Sequence, residues 1–464
     1  MSKIIIQNGN MCELDLPLKF AQKLYNEFAI RHPNAFYLRT RQRGMQNWDG
    51  KIHYITKTGQ FKIGLLPKVY DMCIEMGIKP KVVDMRQPLP KVSKVVTNIG
   101  KYKLRPEQEK AVKAVINNKI GNTPFHIGVL DYTVNAGKTL IMSSLYLSYK
   151  KQLKTLLITN DSDWLNQARE EFKQYLPGED ITFVQGKVLN WSNFTIGMVQ
   201  SISRNMRFYQ KELSQIDMVL IDEADQGGSK QYQNVITRLF NTRIRIGLSG
   251  TIYMSKLAKD RVKNMNLECF FGKVLAEFKL KDSIKKGYST KTVVKMVPGK
   301  PWYGNWESDC ISYKEIYDDS ITNCYTAWLM AYNRLLWNLN QGRYPALVVC
   351  KHIAHCENLY KFFKKKLGDA YNIAYVHVNT PSKLRQQIMK DFREGKIDIL
   401  VSTTIIARGK NFPKLRYLLN AASMDSQEKS IQFLGRLVRT DKSKKKVYLD
   451  DLHYPGPYLD RHGK

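Results

Sequence analysis

Two successive series of short apolar segments constrain the fold of this 464-residue chain more than any other feature. Each segment is rich in β-branched residues and is separated from the next by a stretch with helical patterning. Because strands without polar alternation are buried on both faces, they predict parallel sheets covered by helices. The first series lies at 125–130, 155–159, 194–198, 217–222 and 243–249, and the second at 346–350, 373–378, 398–402, 416–420 and 446–450.

The predicted fold class is therefore α/β, with two tandem doubly wound domains behind a small α+β domain. We place the small domain at residues 1–97, the first sheet domain at 98–287 and the second at 288–464. The join between the sheet domains falls at a polar, Gly-containing stretch near residues 285–292, where a connection is favoured.

The charge balance restricts the classes of partner. The chain has 74 Lys and Arg against 41 Asp and Glu, a net charge of +33. Such an excess favours a polyanion, since each neutralised phosphate releases counterions. A basic surface for solubility and docking on anionic lipid are the alternatives. The sequence has no apolar run of about 18 residues, which predicts no membrane span. Seven scattered cysteines favour a reducing, cytoplasmic setting.

A phosphate-binding loop is predicted where "VLDYTVNAGKTLIM" joins a strand to a helix. Backbone N–H groups around Ala136 and Gly137 would hold phosphates, Lys138 would reach the β/γ oxygens, and Thr139 would offer its hydroxyl to Mg²⁺. Tyr132 stands where the full pattern has Gly, so a chance match stays open on this stretch alone.

The second half of the predicted ATP site is "IDEAD" at the end of an apolar strand. Asp222 can hold Mg²⁺ directly or through water, and Glu223 can polarise the attacking water. Two solvated acids at a strand end are the alternative. The two motifs together, in this order, favour ATP hydrolysis with Mg²⁺.

Two arginines near the C-terminus complete the predicted chemistry. Arg436 and Arg439 are spaced i and i+3, hence on one helical face, and an arginine beside the γ-phosphate accelerates phosphoryl transfer. With Gln432 they form the pattern Q-x-x-G-R-x-x-R. A surface helix with two solvated arginines is the alternative.

These ordered motifs resemble those of superfamily 2 helicases over nearly the whole chain, which implies two RecA-like domains that bind ATP between them. The resemblance implies phosphate contact for Lys138, Mg²⁺ contact for Thr139 and Asp222, water activation for Glu223, and arginine fingers at Arg436 and Arg439, with Arg439 the better candidate. It also implies adenine-side contacts by Arg105 and Gln108 and a nucleotide contact by Gly409. Coupling roles are implied for Asp225, Ser249, Thr251 and Gln432, and nucleic-acid contacts for Gln200, Lys351 and Thr403. Asn411 departs from the acid that many relatives have at that position.

The four letters DEAD do not by themselves indicate RNA. DEAD-box RNA helicases usually have S-A-T and H-R-x-G-R, whereas this chain has "LSGT" and "QFLGR". In the N-terminal region, basic residues interleave with aromatic ones, an arrangement suited to phosphates and unpaired bases. The predicted contacts are Arg41, Arg43, Trp48 and Lys51. A solvated basic face with buried aromatic residues is the alternative.

The segment "RTRQRGMQNWDGK", followed by "GLLPK", closely resembles the sequence of the N-terminal domain of UvsW-type phage helicases. This resemblance implies an ATP-dependent helicase and translocase on forked or branched DNA, acting as a monomer in the host cytoplasm in replication, recombination and repair. Phage recombination or replication proteins would be its partners. The alternatives are an RNA helicase, a motor subunit of a restriction-type complex and a DNA-annealing protein. The sequence leaves the role of the aromatic segment 299–307 open.

Overall fold

The computed structural model describes residues 2–41, 44–149, 152–253, 260–299, 312–404, 412–423, 435, 444, 446–455 and 459. The chain divides into two compact units, Met1–Lys279 and Leu280–Lys464. Among the described residues, no helix is long and apolar enough to cross a membrane. The division places the N-terminal region in the same unit as the first large sheet, and the finer domain bounds stay a prediction.

The N-terminal part of the first unit is α+β. Its four-stranded sheet has the order β5-β2-β1-β6, in which β6 runs parallel to β1 and the other pairs are antiparallel. A separate antiparallel ribbon pairs β3 with β4. The elements are β1 Lys3–Ile6, β2 Met11–Asp15, α1 Leu18–Glu27, β3 Ala29–Arg31, α2 Ala35–Arg41, β4 Lys51–His53, β5 Gln60–Lys62, α3 Leu66–Glu75 and β6 Lys81–Asp84.

The rest of the first unit carries an eight-stranded sheet of order β14-β13-β15-β12-β16-β17-β11-β18. It is parallel except for the β13–β14 hairpin. The elements are β7 Asn98–Ile99, β8 Tyr102–Lys103, α4 Pro106–Ile116, β9 Lys119–Ile120, β10 Thr123–Pro124, β11 His126–Tyr132, α5 Lys138–Ser148, β12 Thr155–Thr159, α6 Ser162–Tyr175, β13 Ile181–Gln185, β14 Val188–Leu189, β15 Phe194–Met198, α7 Val199–Arg204, α8 Gln210–Ser214, β16 Met218–Asp222, α9 Lys230–Ile236, β17 Ile244–Ser249, α10 Arg261–Phe271 and β18 Val274–Phe278.

One apolar core joins the two parts of the first unit. Ile4 and Phe61 of the N-terminal part belong to the same buried cluster as Ile127 and Phe271 of the large sheet domain. The fully buried Arg245 of β17 crosses this boundary, donating to the Gly9 carbonyl at 2.7 Å and the Asn10 side chain at 2.8 Å. The N-terminal part is therefore packed onto the sheet domain.

The second unit is built on a six-stranded parallel sheet of order β19-β24-β23-β20-β22-β21. Its elements are α11 Leu280–Lys285, β19 Lys291–Pro298, α12 Tyr313–Tyr317, α13 Tyr325–Asn340, β20 Ala346–Cys350, α14 Ile353–Leu367, β21 Ile373–Val376, α15 Ser382–Glu394, β22 Ile399–Thr403, β23 Tyr417–Asn420 and β24 Lys446–His453.

The predicted fold class is confirmed: two parallel-sheet domains of the RecA-like kind follow a small α+β part. Each predicted strand is present, with ends shifted by a few residues at most. The sequence pattern did not predict β13, β14, β18 and β19 of the two large sheets. Six of the eight residues of β19 are exposed, and the strand lies at the sheet edge, so it lacks the continuous apolar pattern of its neighbours.

Candidate nucleotide site

The predicted phosphate-binding loop lies between β11 and α5, and the helix begins at Lys138. Gly137 has φ +72°, in the left-handed region, and a Cβ there would lie 2.3 Å from the Gln108 amide nitrogen. Asn135 also has a positive φ of 63°. Glycine at 137 is therefore required both by backbone conformation and by the close approach of Gln108.

Gln108 anchors this loop from the first turn of α4. Its side-chain oxygen accepts from the Arg105 backbone N–H at 2.8 Å, and its amide nitrogen donates to the Ala136 carbonyl at 2.8 Å. The Arg105 guanidinium reaches the Asn135 carbonyl at 3.4 Å. Both residues thus contact the loop directly, while their adenine-side role stays a prediction.

Tyr132, the departure from the full P-loop pattern, has a structural explanation. It is the last residue of β11, is fully buried, and donates its hydroxyl to the Glu107 carbonyl at 2.7 Å. The position still belongs to the strand and fills the space beneath α4. A large side chain is therefore compatible with the loop that follows it.

Asp222 ends β16 and faces Lys138. The Lys138 Nζ lies 3.6 Å from Asp222 Oδ1, and the carboxylate is almost wholly buried. Burial raises the pKa of Asp222 and the Lys138 charge opposes that rise. The pair brings together the predicted phosphate-binding cation and the predicted Mg²⁺ ligand.

Glu223 follows in a left-handed backbone conformation with φ 52°. Burial, and then the charges of Asp222 and Asp225, raise the pKa of Glu223 to about 7. Its Oε2 is buried and has no hydrogen-bond partner among the described residues. A positive φ at a non-glycine residue is uncommon and is concentrated at functional sites.

These side chains fit a magnesium–nucleotide. Asp222 Oδ1 and Glu223 Oε2 are buried oxygens without a hydrogen bond within the described ranges, and buried polar atoms are normally satisfied. Carboxylate oxygens are the donors that Mg²⁺ prefers. Thr139, half-buried in the first turn of α5, has the hydroxyl that the loop motif requires. Asp222 and Thr139 would hold the ion.

A buried network links the "IDEAD" segment to the "LSGT" segment. Ser249 Oγ donates to Asp225 Oδ1 at 2.7 Å and lies 3.3 Å from the Thr251 hydroxyl. All three residues are buried. A Cβ on Gly250 would lie 3.0 Å from the Thr133 Cα, so this segment packs against the phosphate loop. The three predicted coupling residues in this unit therefore form one contact group.

Gln200, a predicted nucleic-acid contact, lies in α7 just after β15. Its amide nitrogen donates to the Asn160 carbonyl at 3.3 Å, which joins two motif loops at the carboxyl edge of the sheet. Its Oε1 is buried and lacks a partner in the described part of the chain. Its contact with nucleic acid stays a prediction.

In the second unit, the two predicted nucleic-acid contacts lie at carboxyl ends of strands. Lys351 follows β20, donates to the Tyr313 hydroxyl at 2.6 Å and lies over that ring at 4.1 Å. Thr403 ends β22 and is buried. Both positions precede loops, which suits a binding role, and both roles stay predictions.

The N-terminal candidates occupy different environments. Trp48 is half-buried and donates its indole N–H to the Lys51 carbonyl at 2.9 Å. Lys51 is exposed, and Arg41 lies 5.0 Å from the centre of the Tyr37 ring. The structure thus places Trp48 and Lys51 together beside α2.

Several predicted residues lie outside the described residues. These are Arg43, Gly409, Asn411, Gln432, Arg436, Arg439 and residues 300–307 of the aromatic segment. Their roles stay predictions from the motif patterns.

The sequence pattern did not reveal two structural residues of the first unit, Asp131 and Arg245. Asp131, buried at the end of β11, pairs with Lys279 just after β18, and thus supports the strand that leads into the phosphate loop. Arg245 anchors the N-terminal part, as described above. A basic residue inside an apolar strand, as in "RIRIGLS", is the one signal that could have identified Arg245.

Comparison with known proteins agrees with this geometry. The family model for the type III restriction enzyme res subunit matches residues 101–254, and that for the helicase conserved C-terminal domain matches residues 329–441. The ATP-dependent DNA helicase uvsW of Enterobacteria phage T4 is 22% identical over 444 residues, covering 86% of this chain and 80% of that protein.

Two further matches extend the comparison. Helicase 22 of Sulfolobus islandicus filamentous virus is 23% identical over 385 residues, and the alignment covers 76% of this chain but only 64% of that relative. The structure of the ATP-dependent Type ISP restriction-modification enzyme LlaBIII bound to DNA has a TM-score of 0.57 at 13% identity, covering 83% of this chain and 31% of that one. This last likeness concerns the fold alone.

The phosphate loop, the acidic pair and the two matched domains define the class of protein, an ATP-dependent helicase. Helicases of this class use ATP, generally with Mg²⁺. The matched family models and the phage T4 relative make the chain similar to the UvsW-type superfamily 2 helicases.

Proposed function

We propose that this helicase is a DNA motor that hydrolyses ATP to unwind and remodel branched DNA, by fork regression and four-way-junction branch migration. Phage replication, recombination and repair are the processes it would serve. The observation that carries this proposal is the similarity to the T4 DNA helicase over 86% of the chain. That span is too long to be confined to the motor domains, and the net charge of +33 suits a polyanionic substrate.

In the proposed hydrolytic step, the residues of the first unit divide the work. Lys138 and the first turn of α5 hold the terminal phosphates through positive charge and N–H groups. Glu223 accepts a proton from the attacking water through Oε2, the oxygen that has no partner among the described residues. When bound, Mg²⁺ would neutralise phosphate charge as it develops.

Coupling to nucleic acid is proposed to pass through the Asp225–Ser249–Thr251 group. Asp225 is two residues from Glu223, and Ser249 ends β17 beside it. A change at the acidic pair therefore reaches the "LSGT" segment through one charge-assisted hydrogen bond. Arg439, with Arg436 as second candidate, is proposed to stabilise the negative charge of the transferred phosphoryl group.

The test is an ATPase and unwinding assay with the full chain on forked DNA, four-way junctions, simple duplexes and RNA duplexes of matched sequence. We expect the greatest ATPase stimulation and strand separation on forks and junctions. Equal activity on RNA duplexes would contradict the DNA assignment. Translocation along duplex DNA without strand separation would instead favour a restriction-type motor.

A further inference from the structure

A groove in the N-terminal part is lined by residues outside the predicted ATPase motifs. It is bounded by α2 on one side and by the β3–β4 ribbon on the other, and we refer to it as the α2 groove. Its volume is about 540 Å³, within the range of about 300 to 1,000 Å³ that is usual for small-molecule sites. It is therefore large enough for one aromatic base with its sugar.

The wall formed by α2 presents an aromatic ring to solvent. Phe36 is 79% exposed and lines the groove together with Arg39, one turn further along the helix. An exposed phenylalanine costs hydration free energy unless a partner covers it. A flat ring beside a guanidinium is the combination that binds unpaired bases next to a phosphate.

The wall formed by the ribbon concentrates positive charge. Arg31 of β3 and Lys51 of β4 are directly opposed partners in the antiparallel register, and both line the groove. Like charges placed directly opposite each other on a two-stranded ribbon destabilise it. Within the described residues, neither Arg31 nor Arg39 forms an ion pair, so an anion in the groove would relieve this repulsion.

The one acid among the lining residues is already engaged. Asp49 Oδ1 accepts from the Lys51 backbone N–H at 2.9 Å, and Asp49 Oδ2 lies 2.6 Å from His53 Nε2. The hydrogen bond with His53 lowers the pKa of Asp49. Both carboxylate oxygens are thus held at the end of the groove by their own partners, and the basic side chains determine what it attracts.

We propose that the α2 groove binds one unpaired nucleotide of a DNA strand, with its base stacked on Phe36 and its flanking phosphates held by Arg31, Arg39 and Lys51. The inference rests on the proposed function for its choice of DNA. It deepens that function by giving the N-terminal part a contact with single-stranded arms of a branch. Phe36, Arg31 and Arg39 join Lys51 as recognition residues.

The experiment measures binding of fluorescein-labelled oligothymidine, blunt duplex DNA and oligouridine to the full chain without ATP. The variants are Phe36→Ala and Arg39→Ala. Their matched controls lie on α1 of the same domain: Leu18→Ala, a 77% exposed apolar residue, and Lys23→Ala, an exposed cation.

We expect Phe36→Ala to weaken oligothymidine binding about tenfold, the scale of one lost stacking contact, and to leave duplex binding unchanged. Arg39→Ala should lower the slope of log affinity against log salt by about one, as one lost phosphate contact does. Leu18→Ala and Lys23→Ala should bind like the parent chain. Equal losses on oligouridine would also support a base-stacking groove.

Parent-like binding by Phe36→Ala would overturn the proposal, as would an equal loss with Leu18→Ala or on blunt duplex. A loss confined to oligouridine would overturn the choice of DNA. Because binding is measured without ATP, these outcomes are independent of unwinding. Failure of the branched-DNA function would show instead in the unwinding assay of the parent chain.

Discussion

The nucleotide site and the α2 groove both use charged side chains. The acids of the nucleotide site are largely buried, whereas the basic residues of the groove are exposed. In the nucleotide site, Asp222 is 4% exposed and its neighbour Glu223 is largely buried, so burial is the main cause of their raised pKa values. In the α2 groove, Phe36 is 79% exposed and the basic residues are open to solvent. Here the one shifted acid, Asp49, is governed by a hydrogen bond.

This contrast separates chemistry from recognition. Desolvated charges interact strongly and can be held ready for a reaction, whereas exposed charges act at longer range and are screened by salt. The nucleotide site should therefore respond to substitution in its rate of hydrolysis, and the groove in its affinity and salt dependence.

The largest effect is expected at Glu223. Glu223→Gln should reduce DNA-stimulated ATP hydrolysis by roughly 10²- to 10⁴-fold, the contribution of a general base, because the amide cannot accept the proton from water. ATP binding should be retained, since Lys138 and the phosphate loop are intact. Steady-state hydrolysis and binding of a fluorescent ATP analogue measure the two quantities.

The control for Glu223 is Glu27→Gln, an exposed acid at the end of α1, which should hydrolyse ATP normally. Glu223→Gln should also bind oligothymidine like the parent chain. Persistent ATP hydrolysis by Glu223→Gln would contradict the assignment of Glu223 as the general base. Weakened oligothymidine binding without ATP would show that the two sites are not separable.

A second large effect is expected at Arg245, which joins the two parts of the first unit. Burial lowers the pKa of this guanidinium to about 9, so it is charged at neutral pH. Arg245→Met would leave the Gly9, Asn10 and Phe270 oxygens without their donor. We expect a loss of about 3 kcal/mol, seen as a lower thermal midpoint for the first unit.

The exposed Arg31 provides the comparison for Arg245. Arg31→Met should change stability by less than about 0.5 kcal/mol and could even stabilise the ribbon, since it removes the repulsion with Lys51. Equal midpoints for Arg245→Met and the parent chain would indicate that the N-terminal part is not held by this residue.

Sequence patterns predicted most strands of the two parallel sheets and the two segments that carry Lys138 and Asp222. Continuous apolar strands determine where parallel sheets form, and the loop that follows such a strand brings Lys138 to Asp222. The structure also explains why Tyr132 can replace the Gly of the full phosphate-loop pattern, because that residue still belongs to β11. Arginine positions 436 and 439 remain predictions.

The N-terminal surface could not be predicted in the same way. The amino-acid sequence alone does not distinguish an exposed aromatic ring from a buried one. Tyr54 donates to the Asn266 side chain and Phe61 is in the core, although both are aromatic residues of the basic N-terminal region. Phe36 was not singled out by any pattern, and its exposure depends on how α2 packs. Recognition surfaces therefore need the tertiary structure.

The smallest effect is expected at Ser249, which tests whether the buried network couples hydrolysis to movement. Ser249→Ala removes the 2.7 Å hydrogen bond to Asp225 but leaves Lys138, Asp222 and Glu223 in place. We expect the number of base pairs unwound per ATP hydrolysed on forked DNA to fall roughly two- to fivefold, the scale of one hydrogen bond.

The control is Ser214→Ala, a half-buried serine that donates to the Lys211 carbonyl, which should keep the parent ratio. A parallel fall in hydrolysis and unwinding would place Ser249 in support of the catalytic acids alone. A fall in the ratio with hydrolysis preserved would mean that Asp225 transmits the state of the buried site through this one contact. The hydrogen bond between Ser249 and Asp225 would then connect ATP hydrolysis to the unwinding of DNA.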